Sequence, residues 1–174
     1  MPLLRRIPNT ADASRALVLA FCLAAGGVPA FGQLMDNPDW KESDAPPPPA
    51  FNMNRLLPVD PPAHMTLRYG IDPASIAVTG DGVVRYVIVA SSPHGAVNAF
   101  YEGVRCATGE MKTYARYTGD AWHTVSDPDW KRIKDMTSRH TSELASQALC
   151  RGQAPRASVD DMVRHLKQPI REVE

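Results

Sequence analysis

The chain has 174 residues, and its 19 lysines and arginines are balanced by 19 aspartates and glutamates. This balance leaves no basic excess to neutralise a nucleic-acid backbone, which argues against a nucleic-acid-binding role. The length is enough for one domain with one hydrophobic core.

The first 32 residues have the layout of a secretory signal peptide. Three arginines precede an apolar run at residues 16–32, which ends in small residues ahead of Gln33. The run is shorter than the roughly 20 residues that a membrane span needs, and it contains glycine and proline. We therefore predict cleavage after residue 32 and a periplasmic chain of residues 33–174 that keeps no membrane span. Its net charge would be −2, because cleavage removes three arginines and one aspartate.

Residues 33–63 form a proline-rich segment. Eight prolines lie between Pro38 and Pro62, and the run Pro46–Pro49 favours an extended polyproline II conformation. The segment has no apolar periodicity. We predict an extended arm that tethers the domain, docks to a partner or lies on the domain, and that contributes no core element.

Residues 64–118 predict an antiparallel β-meander. TLRYG and SIAVT have the composition of short strands, and Asp81-Gly82 is a favoured turn pair. Three longer strands follow, with the sequences VVRYVIVAS, AVNAFYEGVRC and MKTYARYT. The first of them is apolar on both sides, which is typical of a central strand.

The remaining chain predicts two helices. Asp127 and Pro128 suit the cap and first turn of a helix that ends at Cys150, and its apolar positions recur every three or four residues. Ser158 caps a shorter second helix that Pro169 ends. The predicted fold is α+β: residues 64–174 form a single domain in which the meander is followed by two C-terminal helices packed on one sheet face.

Cys106 and Cys150 are the two cysteines that remain after cleavage. Export leads to an oxidising space in which paired thiols persist as disulfides. The two lie 44 positions apart, and closing such a loop stabilises a fold by roughly 4 kcal/mol in the chain-entropy model. We predict a disulfide, with two separate buried thiols as the alternative. A bonded sulfur is not a nucleophile, which argues against a catalytic thiol.

Strand alternation predicts one polar sheet face. If residues 91–95 close the loop between the first two long strands, Val84 lies opposite Glu102, and the face that carries Val87 and Val89 is the better one for helix packing. The opposite face would then be a half-solvated surface whose ion pairs contribute little, or a candidate binding groove. The candidate binding residues are Tyr86, Tyr101, Glu102, Tyr114 and Arg116.

Sequence motifs for catalysis are absent. The histidines form no His-x-x-x-His or His-Glu-x-x-His pair, no Gly-x-Ser-x-Gly occurs, and Gly80-Asp81-Gly82 has the context of a turn rather than of a phosphate loop. We therefore predict no catalytic residue, no cofactor and no metal. Residues 37–41 and 127–131 share the pattern Pro-Asp-Trp-Lys, which we interpret as two separate turn motifs rather than as a repeat.

These residues resemble one protein family. DGVVRYVIVA at 81–90, GAVNAFYEGVRC at 95–106, Tyr114-Ala115 and Arg139-His140 ahead of Cys150 are similar to the CNP-one-like family of exported proteins from Gram-negative, mainly betaproteobacterial, species. An NPDW-type start before a proline-rich arm is similar too. The resemblance implies export and the disulfide, and it implies no activity.

The leading functional prediction is a non-catalytic periplasmic domain that binds an envelope partner or supports the envelope. The alternative is a small periplasmic hydrolase or ligand-binding enzyme that uses Glu102 with Tyr101, Arg116 or His140. Metal or redox handling through the cysteines and histidines is a third possibility, which a quantitative disulfide together with no bound metal in mass spectrometry would exclude.

Overall fold

The computed structural model describes residues 37, 39–59 and 66–168. All of them belong to one compact unit, which includes the proline-rich arm. The predicted signal peptide and the predicted helix end at Pro169 lie outside the described residues. No helix in the described ranges is long and apolar enough to span a membrane.

The core of the fold is an antiparallel sheet, so the predicted meander is confirmed. Its strands are β1 (Leu57–Val59), β2 (Arg68–Ile71), β3 (Ala77–Val78), β4 (Val83–Ser91), β5 (Val97–Arg105), β6 (Glu110–Thr118), β7 (Ala121–Thr124) and β8 (Lys131–Arg132). β4 is buried over almost its whole length, as its two-sided apolar sequence predicts. The strands follow the order β1-β2-β4-β5-β6-β7 in the sheet, with β3 on β4 and β8 on β6.

The β4–β5 register differs from the predicted one by two positions. Val84 lies opposite Val104, and Tyr86 lies opposite Glu102. The loop has the predicted five residues, but it begins at residue 92 rather than at residue 91, because Ser91 still pairs with Val97. A shift of two positions keeps each side chain of these two strands on its predicted face.

A β-bulge in β6 changes the predicted faces of the third long strand. The register with β5 shifts between Tyr101, which faces Ala115, and Glu102, which faces Thr113. Tyr114 is therefore the extra residue. Lys112 and Tyr114 lie on the same face as Tyr101, whereas Arg116 shares a face with Phe100.

Each face of the sheet contributes to its own hydrophobic cluster. The larger cluster joins Val84, Tyr86 and Ile88 to side chains of the C-terminal helical segments, including Leu144 and Met162. The smaller cluster contains side chains of β4, β5 and β6 with two residues of the proline-rich arm packed against them; its members are Val87, Val89, Ala99, Tyr101, Tyr114 and Ala115, with Phe51 and Leu56. The prediction that the Val87 and Val89 face packs the helices is thus wrong.

The first predicted helix is much shorter than its apolar pattern indicates. α1 covers His140–Leu144, a π-helical turn covers Ala145–Leu149, and residues 131–135 form β8 and a 3₁₀ turn instead. Asp127 does not cap a helix, since its φ of +50° puts it in the left-handed region. α2 (Val159–Leu166) is confirmed, and its Ser158 Oγ accepts the Asp161 N–H at 3.1 Å.

The disulfide between Cys106 and Cys150 is confirmed. It joins the residue after β5 to the first residue of a short hairpin formed by β9 (Cys150–Arg151) and β10 (Ala154–Pro155). Cys150 follows the π-helical turn directly, so the bond links the end of the strand AVNAFYEGVRC, β5, to the end of the first helical segment, as predicted.

Gly103 lies where the chain has no room for a side chain. A Cβ there would lie 2.8 Å from the Tyr114 hydroxyl and 2.9 Å from Val83 Cγ1. We expect Gly103→Ala to lower the free energy of unfolding by about 1–3 kcal/mol, because the ring cannot move without losing its packing. Urea denaturation measures the change. Gly80→Ala is the control, since nothing lies within 4 Å of its Cβ position; equal losses for the two variants would contradict the crowding.

Candidate binding site

The five predicted binding residues do not form one surface. Tyr86 and Glu102 are buried on the sheet face that carries the larger hydrophobic cluster, and Tyr101 and Tyr114 are buried on the opposite face. Arg116 is exposed. The prediction of a single polar groove is therefore wrong, and the bulge at Tyr114 is one reason. The second reason is burial, since a partner cannot reach four of the five side chains.

Glu102 is the centre of a buried polar cluster. Its Oε2 accepts the Tyr86 hydroxyl at 3.0 Å, and the Thr141 hydroxyl lies 3.4 Å from the same oxygen. His140 Nε2 lies 3.4 Å from Oε1, while Nδ1 lies 2.6 Å from Ser138 Oγ. A neutral His140 with its proton on Nε2 satisfies both contacts.

This cluster is closed rather than open to a ligand. Glu102 is 3% exposed and His140 is 7% exposed, and the Tyr69 ring stacks on the imidazole with 4.7 Å between centroids. Burial, followed by the negative charge of Glu102, raises the pKa of Tyr86 well above its ordinary value. Tyr86 is thus a fixed hydrogen-bond donor to the carboxylate.

On the opposite face the arm inserts Glu42 among cationic and polar donors. Its carboxylate accepts hydrogen bonds from Lys112 Nζ at 2.7 Å, the Tyr114 hydroxyl at 2.7 Å and Trp130 Nε1 at 3.0 Å. Burial alone would raise the pKa of Glu42, but these hydrogen bonds outweigh it and lower the pKa below 4.5. Burial and the bond to Glu42 raise the pKa of Tyr114. One carboxylate therefore attaches the arm to β6 and to the segment that follows β7.

Arg85 extends this network into the interior. Its side chain is 1% exposed and its Nη2 lies 3.0 Å from Asp81 Oδ2, 3.2 Å from the Ser43 carbonyl and 3.4 Å from Glu42 Oε1. Burial opposes ionisation of Asp81, yet hydrogen bonds from Arg85, Thr79 and Ser43 hold the pKa of Asp81 far below its usual range. The charges are therefore paired and hydrogen-bonded, as buried charges must be.

The two Pro-Asp-Trp-Lys segments meet at this network. The Trp40 and Trp130 rings pack edge to face with 5.9 Å between centroids. Trp40 Nε1 donates to the Asp81 carbonyl at 2.8 Å, and the Arg105 guanidinium lies 3.8 Å from the Trp40 ring centroid. The shared pattern is thus a pair of tryptophans in contact.

Asp72 holds a second part of the arm. This fully buried carboxylate accepts the Asn52 N–H and an Arg55 guanidinium N–H, both at 2.8 Å. Burial opposes its ionisation, but the hydrogen bonds from Arg55, Ala74 and Asn52 lower the pKa of Asp72 overall. Residues 50–56 are therefore held against the sheet independently of Glu42.

An aromatic groove opens between this part of the arm and the β6–β7 hairpin. Its volume is about 500 Å³. Phe51, Tyr117 and Trp122 pack edge to face, with centroids 5.2–6.1 Å apart. Met53 and Val97, which are more than 40% exposed, also line it. The two-residue turn Gly119–Asp120 also lines it, and both residues have the positive φ of a type I′ hairpin.

Arg116 lines a different groove, of about 320 Å³, together with Met111, Asp127 and Lys131. This groove lies between β6 and the segment after β7. In the described ranges no group of three or more histidine, cysteine, aspartate or glutamate residues is placed to hold a metal ion.

Replacing Glu42 by glutamine is expected to lower the free energy of unfolding at pH 7 by about 1–3 kcal/mol, because three donors lose a charged acceptor. The folded-state pKa of Glu42 is lowered, so its contribution is complete above pH 4.5 and is lost as the pH falls through the lowered value. The difference between the two proteins should therefore shrink from pH 7 to pH 3 in urea denaturation.

Glu143→Gln is the matched control for this change. Glu143 pairs at 3.8 Å with Arg139, whose side chain is 61% exposed, and such pairs contribute under about 1 kcal/mol. A loss of unfolding free energy in Glu42→Gln that equals the loss in Glu143→Gln, or that grows toward pH 3, would contradict the role of Glu42 in holding the arm.

Sequence reasoning missed Glu42 and the aromatic groove. The two Pro-Asp-Trp-Lys segments were a usable signal, because the tryptophan of each donates a hydrogen bond to the network around Glu42 and Arg85. The groove had no comparable signal, since Phe51 and Trp122 lie on segments with no apolar periodicity.

The comparisons with known proteins give one match. The model of the CNP1-like family matches residues 35–167. No curated protein and no solved structure matches the chain. The resemblance drawn from DGVVRYVIVA and GAVNAFYEGVRC is confirmed, and because the match covers most of the sequence, the chain belongs to the CNP1-like family.

Proposed function

We propose that the chain is exported to the periplasm and that its mature part, residues 33–174, is a non-catalytic binding domain of the cell envelope. The observation that carries the proposal is the aromatic groove between the arm and the β6–β7 hairpin. It combines half-buried rings with exposed Met53 and Val97, and exposed apolar side chains around a concave site are typical of binding surfaces.

The arrangement of the domain supports this role. We infer that both C-terminal helices pack on the face of Tyr86 and Glu102, which leaves the opposite face to the arm. The arm then acts as a wall of the groove rather than as a simple tether. The disulfide supports export, because such bonds persist in oxidising compartments.

Site-specific photo-cross-linking in the periplasm tests the proposal. A photoreactive phenylalanine analogue at Val97, inside the groove, is expected to give a reproducible adduct that Trp122→Ala abolishes. The same analogue at Val78 is the control, because Val78 is 42% exposed but is not a groove residue. Equal labelling at both positions, or none at Val97, would overturn the proposal. The mass of the exported protein should correspond to a chain that begins at Gln33.

A second candidate function, a periplasmic hydrolase, is favoured by two consecutive side-chain contacts. Ser138 Oγ, His140 and Glu102 follow the order of hydroxyl, imidazole and carboxylate that activates a nucleophile. Tyr101 and Arg116 do not join it, since Tyr101 is buried on the other face and Arg116 lines another groove. The burial of Glu102 and His140 leaves Ser138 as the one partly exposed member, which is why we place binding first.

Fluorophosphonate labelling separates the two candidates. A binding domain is expected to remain unlabelled at concentrations that fully modify a serine hydrolase run in parallel. Labelling that Ser138→Ala removes would establish the hydrolase instead.

A further inference from the structure

We propose that the aromatic groove binds a small organic cation that carries an alkylated ammonium head group. This inference rests on the proposed binding function and names the chemistry of its ligand. Its elements are three aromatic rings, one carboxylate and two exposed apolar side chains.

The planes of the three rings are steeply inclined to one another. The angles between their planes are 90° for Phe51 and Tyr117, 78° for Phe51 and Trp122, and 65° for Tyr117 and Trp122. Each edge-to-face contact covers one face of one ring, so these three contacts cover at most three of the six ring faces, and all three rings line the groove. Ring faces carry the negative part of the aromatic quadrupole, and they attract a cation that lies within about 6 Å of a centroid.

The charge of the lining selects a positive ligand. Asp120 is the one ionisable acid among the lining residues, and none of them is a lysine, arginine or histidine. In the part of the chain that the structure describes, the cations over aromatic rings lie on Trp40, Tyr114 and Trp130, and none lies over the three groove rings. The groove therefore offers ring faces and a carboxylate without a cation of its own.

The apolar walls select an alkylated head group over a bare ammonium. Met53 and Val97 line the groove and are 44% and 41% exposed. Methyl groups on nitrogen spread the charge and pack against such side chains, whereas a bare ammonium loses strong hydration on entering. A volume of about 500 Å³ lies within the range of small-molecule sites, roughly 300–1,000 Å³.

The site is held in shape before any ligand arrives. Asp72 fixes the Asn52 N–H and Arg55 beside the Phe51 wall, and the Gly119–Asp120 turn joins the two paired strands that carry Tyr117 and Trp122. Fixed walls reduce the ordering cost of binding.

A pair of isosteres tests the inference. Choline and its neutral carbon analogue 3,3-dimethylbutan-1-ol are titrated into the full exported protein, and the indole N–H signal of Trp122, assigned with Trp122→Phe, is followed by NMR. We expect saturable binding of choline, with the neutral analogue about 2- to 30-fold weaker, which is the range of cation–π attraction. Equal affinity, or no binding of choline at millimolar concentration, would overturn the inference.

The carboxylate is tested separately. Asp120→Asn is expected to weaken choline binding about 2- to 5-fold, and asparagine tolerates the positive φ of Asp120, 64°. Asp160→Asn, on the exposed side of α2, is the matched control and should leave the affinity unchanged. A loss of the same size in both variants would show only a general charge effect and would overturn the role of Asp120.

The two proposals fail in different ways. If choline does not bind but the Val97 adduct persists, the groove binds a different ligand class and only this inference fails. If neither is observed, the binding function fails with it.

Discussion

Replacing Arg85 by methionine is expected to lower the free energy of unfolding by about 3–5 kcal/mol. Methionine fills much of the same space, but it leaves Asp81, whose side chain is 2% exposed, without its ion pair. Glu42 and the Ser43 carbonyl lose a donor as well. An uncompensated buried carboxylate costs more than the pair contributes, because its desolvation is no longer offset. Urea denaturation at pH 7 measures the change.

One further variant and a pH series of Arg85→Met isolate the charge effect. Arg164→Met removes an arginine that also pairs with an aspartate, Asp161 at 2.9 Å, but whose side chain is 65% exposed; its expected loss is under about 1 kcal/mol. In Arg85→Met, protonating Asp81 removes the unpaired charge, so the deficit should narrow as the pH falls. A deficit no larger than that of Arg164→Met would mean that water reaches Asp81 and that the network is not buried.

Parts of this fold are readable from the sequence because the signal is local. β4 has apolar side chains on both faces along most of its nine residues, and a strand with that pattern belongs in the middle of a sheet. Ser158 caps α2 because the hydroxyl and the N–H it accepts are three residues apart. The disulfide could be predicted because the expected export leaves two cysteines in an oxidising compartment.

The first helix was mispredicted because distant contacts outweigh a local pattern. Trp130 fits an apolar helical stripe, but its indole N–H donates to Glu42, which lies 88 positions earlier. Lys131 and Arg132 pair with β6 and so cannot stay helical. Helical propensity contributes tenths of a kcal/mol per residue, which a charged hydrogen bond and ring packing exceed.

The polar sheet face was mispredicted because one residue changes the alternation. The bulge at Tyr114 moves Lys112 and Tyr114 to the face opposite the one predicted from β5. The alternating pattern of a single strand does not reveal a bulge, because a residue is extra only relative to the pairing with the partner strand. The same limit hid Glu42: a carboxylate in a proline-rich arm has no pattern that reveals the lysine, tyrosine and tryptophan around it.

Removing the disulfide is expected to lower the free energy of unfolding by about 4 kcal/mol. The bond closes a loop between positions separated by 44 residues, and the chain-entropy model gives this loss for a loop of that length. The double variant Cys106→Ala/Cys150→Ala is preferred to a single substitution, because a single change leaves a free thiol that can pair between molecules. The bond also anchors the helical segment beside β5, since Cys106 is 5% exposed within the larger cluster.

Reductant provides the matched control for the double variant. Dithiothreitol should lower the stability of the exported wild-type protein by a similar amount, since it opens the same loop, and it should not change the variant. Because Cys106 and Cys150 are the cysteines of residues 33–174, the proposed mature chain, alkylation without reductant should leave that chain unmodified. Labelling of both thiols before reduction would contradict the disulfide in the cell and remove its support for export. A stability loss below about 1 kcal/mol would instead mean that the unfolded chain is already compact enough that the link restricts it little.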